Sequence, residues 1–268
     1  MEKTKVLYVS QEITPFLPET EQSRIGRQLP QGIQEKGKEI RTFMPRYGSV
    51  NERRNQLHEV IRLSGMNLII NDTDHPLIIK VASIQAARMQ VYFIDNEDYF
   101  HRKFVFRGKD NHYFKDNDER LIFFSRGVIE TVKKLRWAPD VVHCHGWFTS
   151  LVPLYLKKAF HDDPLFADSK VVVSVYNDDL SGSLPDDFAR KLLIEGVNPD
   201  ELGVLSGLDY LSLNKLAVQM ADGVIIGSEQ INPELSTFIA QSGKPTLAFH
   251  SEDKIVDAYS DFYDKLLD

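Results

Sequence analysis

The sequence predicts a single doubly wound, Rossmann-like α/β domain with a β-hairpin insertion. Short apolar, β-branched runs alternate with longer amphipathic segments, as in parallel strands that are joined by right-handed crossover helices. In the middle of the chain, strand-like runs follow one another with little helix between them, which indicates hairpins. Neither an internal repeat nor a low-complexity linker divides the 268 residues. We therefore expect one domain over residues 1–268.

The elements follow in the order that such a domain requires. Residues 5–10 (KVLYVS) predict a buried strand, residues 21–36 a helix that Gly37 ends, and residues 39–45 (EIRTFMP) a second parallel strand. Strand-like runs then predict the hairpin insertion, at 57–65, 67–74, 76–85 and 89–95. Alternation resumes, with helices expected at 118–135, 147–160, 207–221, 232–242 and 251–268 and strands at 139–145, 170–176, 222–228 and 244–249. Ser251 is expected to cap the last helix.

Composition and charge argue against several classes of protein. Net charge is −7, and nucleic-acid binding needs clustered Lys and Arg, so the one basic pair, Arg53–Arg54, indicates a solvated loop. Cys144 is the only cysteine, which rules out an intrachain disulfide and fits a reducing cytoplasm. No apolar run reaches the roughly 18 residues of a membrane span, and residues 1–10 lack a signal-peptide core. We expect a cytoplasmic protein without a nucleic-acid or membrane partner.

The strongest local cluster is HCHGWFTS (143–150), at the carboxyl end of a predicted parallel strand. Open α/β sheets bind ligands at such ends. We expect His143 and His145 to point to opposite faces of the strand, which makes them poor joint metal ligands, so no metal site is predicted. Trp147 either stacks on a sugar or caps the core, and core packing is favoured. Cys144 is expected to be an inert thiol.

A second cluster, SVYNDDLSG (174–182), follows the next parallel strand. Its side chains offer donors and acceptors at the sheet edge, and the alternative is a loop in which Asn and Asp cap the following turn; they are Tyr176, Asn177, Asp178 and Asp179. A third set either lines one cleft or forms a structural ion-pair network, and consists of Asp95, Arg102, Asn117 and Arg126.

In this order, the clusters resemble segments of the bacterial glycogen synthase and plant starch synthase family. That family consists of retaining glycosyltransferases of the GT-B type, with two Rossmann-like domains, a nucleotide sugar bound mainly to the C-terminal one, and catalysis in the cleft between them. The resemblance covers nearly all of residues 4–240, and it is carried by VSQEITPF (9–16), LPQGIQEKGKEIRTFMPRYG (29–48), VYFIDNEDYFHRK (91–103), YFKDNDERLIFFSRGVIE (113–130), PDVVHCHGWFTSLVPLYLK (139–157), VVVSVYNDDLSG (171–182) and LNKLAVQMADGVIIGSEQINPEL (213–235). It implies the N-terminal half of a GT-B enzyme and a relation to α-1,4-glucan synthesis from ADP-glucose.

The departures from the family pattern point to a degenerate site. The family's Lys-Thr-Gly-Gly loop, whose lysine contacts phosphate, is replaced by PETEQS (18–23). Gly146 stands where the family has Asp, and Phe148 where it has His. Tyr176 replaces the functional His of a His-Asn motif, of which Asn177 remains.

In the loop that replaces Lys-Thr-Gly-Gly, Glu19 and Glu21 would repel a nucleotide phosphate. In addition, the family's second domain is expected to be missing. Residues 252–268 resemble the family's very last helix, which crosses back onto the N-terminal domain, so we expect a returning C-terminal helix. Its apolar stripe would comprise Ile255, Ala258, Tyr259, Phe262 and Leu266.

These features predict a domain that is not a competent glucosyltransferase by itself, with no catalytic residue and no cofactor assigned. Its cleft is expected to bind a glucan or another sugar through His145, Trp147, Tyr176 and Asn177. One alternative is half of a split glycosyltransferase that needs a partner chain. Another is a non-catalytic regulatory module, in which the exposed sheet end binds a protein.

Overall fold

The structure is a computed structural model that describes residues 3–268. Within this range the strands are β1 Lys5–Ser10, β2 Glu39–Pro45, β3 His58–Glu59, β4 Met66–Ile70, β5 Thr73–Ile84, β6 Met89–Asp95, β7 Val141–His145, β8 Lys170–Val175, β9 Gly223–Ile226 and β10 Thr246–Leu247. The α-helices are α1 Glu21–Glu35, α2 Glu97–Phe100, α3 Asn117–Leu135, α4 Leu151–Lys157, α5 Phe188–Lys191, α6 Tyr210–Met220, α7 Pro233–Gln241 and α8 Ile255–Leu267. Short 3-10 helices lie at Gln85–Ala87, Trp147–Thr149 and Pro199–Gly207.

The strands form a doubly wound sheet in the order β10-β9-β8-β7-β1-β2-β6-β5-β3, with β4 paired to β5. Pairing is parallel from β10 to β6, and β5 runs antiparallel to β6, β3 and β4. The predicted α/β class and the hairpin insertion are therefore confirmed. The chain leaves β1 toward β2 on one side and continues from β7 on the other. The loops after β1 and β7 consequently diverge and open a crevice at the carboxyl edge.

Helices cover the two faces of the sheet. On one face, α3, α4 and α6 bury a large apolar cluster that includes Phe123, Phe124 and Phe148. On the other face, α1 and α8 pack over a smaller cluster around Tyr8 and Tyr259. Fully buried side chains of this kind each contribute about 1.5–3 kcal/mol through the apolar area they remove from water.

The start of α1 is fixed by a capping box, which positions its first turn at the carboxyl edge. Oγ1 of Thr20 accepts a hydrogen bond from the Ser23 amide at 3.0 Å, and Oγ of Ser23 accepts one from the Thr20 amide at 2.8 Å. Two of the amide groups that a helix leaves unpaired at its first turn are thereby satisfied.

The last helix, α8, begins later than predicted. The sequence suggested a helix over 251–268 with Ser251 as its cap, but Oγ of Ser251 donates instead to a carboxylate oxygen of Asp253 at 2.6 Å. Residues 252–254 form a turn, and the helix begins at Ile255. The predicted apolar stripe does face the core, and Tyr263 joins it.

Two glycines allow α8 to approach the domain closely. A Cβ at Gly32 of α1 would lie 2.5 Å from Cγ2 of Val256, and a Cβ at Gly223 would lie 2.9 Å from the Phe262 ring. The backbones of α1 and β9 can therefore lie against the apolar side chains of α8. Ion pairs flank this contact on the surface, among them Lys36–Asp257 at 2.7 Å and Lys38–Asp264 at 2.8 Å.

Other differences concern boundaries. The helix that was expected over 147–160 is a 3-10 turn followed by α4, which ends at Lys157. The strand that was expected over 244–249 is reduced to Thr246–Leu247. The cap at Asn232 and Pro233 at the first position of α7 are confirmed. Among residues 3–268, none of the helices has the length and apolarity that crossing a bilayer requires.

Candidate functional site

A cleft of about 580 Å³ opens at the carboxyl edge of the sheet, beside the crevice between β1 and β7. Gln11 and Glu12 line it from the loop after β1, Trp147 from the loop after β7, and Asp178 from the loop after β8. The remaining wall comes from the segment between α2 and α3, residues 101–116, which we call the cleft loop. In open α/β sheets this edge is the usual place for ligands.

A hydrogen-bonded pair of side chains lies in this cleft. Nε2 of Gln22, in the first turn of α1, donates to Oδ1 of Asp178 at 2.6 Å. Burial raises the pKa of Asp178 to about 7, although the hydrogen bond from Gln22 acts in the opposite direction. Oε1 of Gln22 is buried and has no hydrogen-bond partner among the residues that the structure describes. The pair therefore holds the first turn of α1 against the loop after β8.

Gly146 makes room for the two glutamines of the cleft. Its φ of +85° is a conformation that L side chains rarely adopt. A Cβ at this position would lie 2.3 Å from Oε1 of Gln11 and 2.6 Å from Oε1 of Gln22. Oε1 of Gln11 also accepts from the Phe148 amide at 3.2 Å, which fixes the loop after β7. The amide side chains thus occupy the space into which a side chain at position 146 would project.

The first loop and the first residue of α1 place carboxylates at the positive end of this helix. Glu12 accepts a hydrogen bond from Oγ1 of Thr20 at 2.5 Å, and burial raises the pKa of Glu12. Glu21 accepts from Oγ of Ser228 at 2.6 Å. A helix N-terminus attracts anions. In this chain the helix N-terminus already attracts the carboxylates of Glu12 and Glu21. Pro18 and Glu19 complete the loop, which contains neither Lys nor Arg.

The cleft loop is tied to the loop after β8. Arg107 forms an ion pair with Asp179, and its guanidinium lies 4.1 Å from the centre of the Tyr113 ring. The Tyr113 hydroxyl donates to the backbone oxygen of Asp179 at 2.5 Å. Hydrogen bonds from Ser181 and Arg107 lower the pKa of Asp179 to about 2. A second depression, of about 520 Å³, adjoins the cleft across Tyr113.

His143 and His145 belong to a buried network beneath α8. The expectation that they point to opposite faces is wrong, because residues two apart on a strand share a face, and their ring centroids lie 3.9 Å apart. Nδ1 of His143 is 2.5 Å from the Tyr263 hydroxyl, and Nε2 is 2.7 Å from Oγ of Ser174. Nδ1 of His145 is 2.8 Å from the Tyr176 hydroxyl.

This network holds both imidazoles neutral. Burial lowers the pKa of His145 to about 3. Burial, with a smaller effect of His145, places the pKa of His143 well below its usual value. Neutral imidazoles suit hydrogen bonding to hydroxyls in an apolar setting, so the network secures the packing of α8 on the sheet.

The four residues that the sequence suggested as sugar contacts are not brought together in the cleft. His145 and Tyr176 are 2 % exposed and lie in the network beneath α8. Asn177 is exposed, and its backbone N–H donates to Oγ of Ser228 at 3.1 Å. Of the four, Trp147 alone lines the cleft, and it is 3 % exposed. The assignment of these four to sugar binding stays a prediction.

The third set that the sequence suggested is dispersed. Asp95 lies 2.9 Å from Nζ of Lys80, and Arg102 pairs with Asp116. Further along α3, Asn117 accepts from Arg120 at 2.6 Å, and Arg126 donates to the backbone oxygen of Ile69 at 2.6 Å. The structure therefore favours structural contacts for this set. Cys144 is fully buried, and burial raises the pKa of its thiol, which agrees with the inert thiol that the sequence predicts.

Comparison with known proteins identifies the family. A model described as the starch synthase catalytic domain matches residues 5–246. The chain belongs to this family. The glycogen synthase of Chlorobium limicola is 40 % identical over 245 residues, which cover 88 % of this chain and 50 % of that protein. The glycogen synthase of Chlorobium phaeobacteroides is 36 % identical over 237 residues, which cover 84 % of this chain and 48 % of that protein.

A solved structure of a starch synthase shows the same fold. The catalytic domain of starch synthase IV from Arabidopsis thaliana, bound to ADP and acarbose, matches with a TM-score of 0.74 and 16 % identity. The match covers 92 % of this chain and 51 % of that chain. The match to the family model and to the glycogen synthases confirms the resemblance to the glycogen and starch synthase family, and this structure confirms the GT-B-like α/β architecture. The chain spans about half the length of the curated relatives it matches.

Several cleft residues were not assigned from the sequence. Gln11 and Gln22 gave no signal, because their role depends on the space beside Gly146, far away in the chain. Arg107 and Phe104 lie in a segment without regular structure, for which periodicity has no predictive value. Asp178 lies in the second sequence cluster, where nothing distinguishes it from the neighbouring Asn177 and Asp179.

Proposed function

We propose that this glycogen synthase-like glycosyltransferase domain binds an α-glucan in its cleft and does not transfer glucose from a nucleotide sugar by itself. The observation that carries the proposal is the composition of the cleft. Hydrogen-bonding side chains such as Asp178 and Gln22 line it, while Glu12 and Glu21 stand at the α1 N-terminus, where a phosphate would otherwise bind.

A neutral sugar polymer suits this cleft better than a nucleotide sugar. A volume of about 580 Å³ is within the usual range for ligand pockets. Sugar hydroxyls can form hydrogen bonds with polar side chains of the lining, such as Asp178 and Asn111, without bringing charge. A phosphate at the α1 N-terminus, within 4 Å of the Glu12 carboxylate, is opposed by about 4 kcal/mol at an effective dielectric constant of 20. The cations of the lining, Arg107 and Lys109, lie in the cleft loop, and Arg107 is paired with Asp179. The names of the relatives, and the acarbose bound to the Arabidopsis enzyme, support a glucan as the ligand class.

The connection before α8 supports the absence of transfer. Residues 248–254 join β10 directly to α8, and α8 packs on α1 and on the α1-covered face of the sheet. We infer that α8 corresponds to the returning helix of a GT-B enzyme. On this view, the C-terminal domain of a GT-B enzyme, which binds the nucleotide sugar, is not inserted between β10 and α8.

Two measurements on the purified protein test the proposal. Incubation with glycogen and ADP-glucose or UDP-glucose should give no glucose incorporation above buffer. Electrophoresis in a glycogen-containing gel should retard the protein relative to a gel without glycogen. Incorporation by the protein alone would overturn the proposed lack of transfer. Incorporation that appears only with a separate C-terminal GT-B domain would favour the split enzyme, and absence of retardation would favour the protein-binding module.

A further inference from the structure

We propose that Phe104 is the platform on which the cleft stacks a pyranose ring of a neutral glucan. The inference rests on the proposed function and deepens it by naming the apolar contact. Aromatic side chains at four positions line the cleft: Phe104, Phe106, Tyr113 and Trp147. They differ in whether a ring face is left free for a ligand.

Trp147 and Phe106 are occupied by the core. Their ring centroids lie 4.7 Å apart. Phe106 also lies 5.3 Å from Phe148, and Trp147 lies 4.6 Å from Tyr210. With an exposed fraction of 3 %, Trp147 has no face that a sugar ring could cover unless this packing opened.

Tyr113 is covered on both sides. The guanidinium of Arg107 lies 4.1 Å from its ring centre, and the Tyr210 ring lies 4.4 Å away. A Cβ at Gly182 would be only 2.4 Å from a ring carbon of Tyr113, so the backbone also packs closely there. Tyr113 is therefore a structural link between the cleft loop and the β8 loop.

Phe104 alone among the four is solvent-exposed. It has 42 % of its surface accessible, and no aromatic ring contact is found for it within residues 3–268. A single exposed apolar side chain is ordinary on a protein surface. This one, however, lines a polar cleft whose other aromatic rings are all engaged, together with Asp178 and Gln22.

The chemistry of a glucan matches that combination. A pyranose ring has a face of C–H groups and a rim of hydroxyls. The C–H face can cover the apolar ring of Phe104, while the hydroxyls reach polar groups of the lining such as Asp178 and Asn111. A flat purine base could also cover a phenyl ring. The carboxylates of the first loop oppose the phosphates that such a base carries in a nucleotide.

The test uses calorimetric titration of the full chain with maltoheptaose. Phe104→Ala should weaken binding about tenfold, equivalent to ~1.4 kcal/mol, and Phe104→Trp should retain it. Phe249→Ala is the matched control, because Phe249 is similarly exposed, at 38 %, and does not line the cleft. Unchanged thermal unfolding should accompany each variant. In saturation-transfer spectra, irradiation of the aromatic protons should reach the sugar C–H groups more strongly in the wild type than in Phe104→Ala.

The outcomes separate the inference from the proposed function. If the wild type fails to bind maltoheptaose, the proposed function fails and the platform falls with it. If the wild type binds and Phe104→Ala binds equally well, only the platform is overturned. Adenosine could instead bind the wild type, displace maltoheptaose and fail to bind Phe104→Ala. That result would mean that Phe104 stacks a nucleobase, and it would overturn the inference of a sugar platform.

Discussion

Nε2 of Gln22 donates a 2.6 Å hydrogen bond to Oδ1 of Asp178, and this contact joins the first turn of α1 to the loop after β8. Both side chains line the cleft. Because burial raises the pKa of Asp178 to about 7, the carboxyl group carries its proton up to near neutral pH. At mildly acidic pH, the Asp178 side chain is therefore polar but carries no full negative charge.

Asp178→Asn should stabilise the protein more at pH 8 than at pH 5. The folded state holds the Asp178 proton up to about pH 7, whereas an unfolded Asp loses it near pH 3.9. The stability linked to this proton is complete below the unfolded pKa and is lost as pH rises through 7. The amide removes that loss, so the gain over wild type should grow by about 2.6 kcal/mol between pH 5 and pH 8. Urea unfolding of both proteins at pH 5 and at pH 8 measures this gain in stability.

The exposed Asp168→Asn variant serves as the control for Asp178→Asn, and its effect should be small at both values. A gain for Asp178→Asn that is equal at pH 5 and pH 8 would contradict the raised pKa of Asp178.

Gly146→Ala should destabilise the fold by about 1–3 kcal/mol, because the backbone has a φ that is strained for Ala. The new methyl group would also meet Gln11 and Gln22. Gly203→Ala is the control, since a Cβ there meets nothing within 4 Å. Denaturant midpoints measure both variants. Equal midpoints for Gly146→Ala and wild type would show that the glutamines do not confine this position.

The buried histidines should make the protein acid-sensitive. Their pKa values are lower in the folded state than in the unfolded state, so stability is complete above about pH 6.5 and is lost as pH falls below it. Each neutral histidine adds up to about 1.4 kcal/mol per pH unit to this loss. His145→Phe should reduce the slope of stability against pH between 6 and 4 by that amount, whatever its effect on absolute stability.

The exposed His161→Phe variant should leave that slope close to the wild-type value. An unchanged slope for His145→Phe would mean that His145 titrates normally in the folded protein, contrary to the burial seen here.

Arg107→Ala should loosen the cleft loop. The guanidinium holds the loop through Asp179 and the Tyr113 ring, and both contacts are lost with the side chain. Amide hydrogen exchange in residues 101–116 should become faster, while exchange in the central strands stays unchanged. Lys103→Ala, which removes an exposed cation from the same loop, should leave the exchange rates near those of wild type. Equal exchange in both variants would argue against the Arg107 contact as the restraint.

Much of the fold could be predicted because it depends on local patterns. The apolar strand at Lys5–Ser10 and the alternating helices that follow gave the doubly wound sheet, and the run of strands before Asp95 gave the hairpins. The start of α8 was misplaced because Ser251 bonds to Asp253 rather than capping the helix, and both outcomes suit the same sequence.

The cleft was harder to predict because it depends on contacts between distant segments. Gln22 and Asp178 lie 156 positions apart in the chain, and nothing local marks either as the partner of the other. His145 and Tyr176 were correctly placed near the carboxyl ends of strands, but α8 covers them from the far end of the chain. The carboxylates of the first loop were visible in the sequence, and the structure brings Glu12 and Asp178 to the same cleft.

The most direct test of a cleft that takes neutral glucan and not nucleotide sugar is a calorimetric competition at pH 7. The protein is titrated with maltoheptaose alone, with ADP-glucose alone, and with maltoheptaose in the presence of ADP-glucose. The polar lining and Phe104 predict binding of maltoheptaose. The carboxylates of Glu12 and Glu21 predict no heat from ADP-glucose and no competition between the two ligands. Binding of ADP-glucose that displaces maltoheptaose would contradict the central claim.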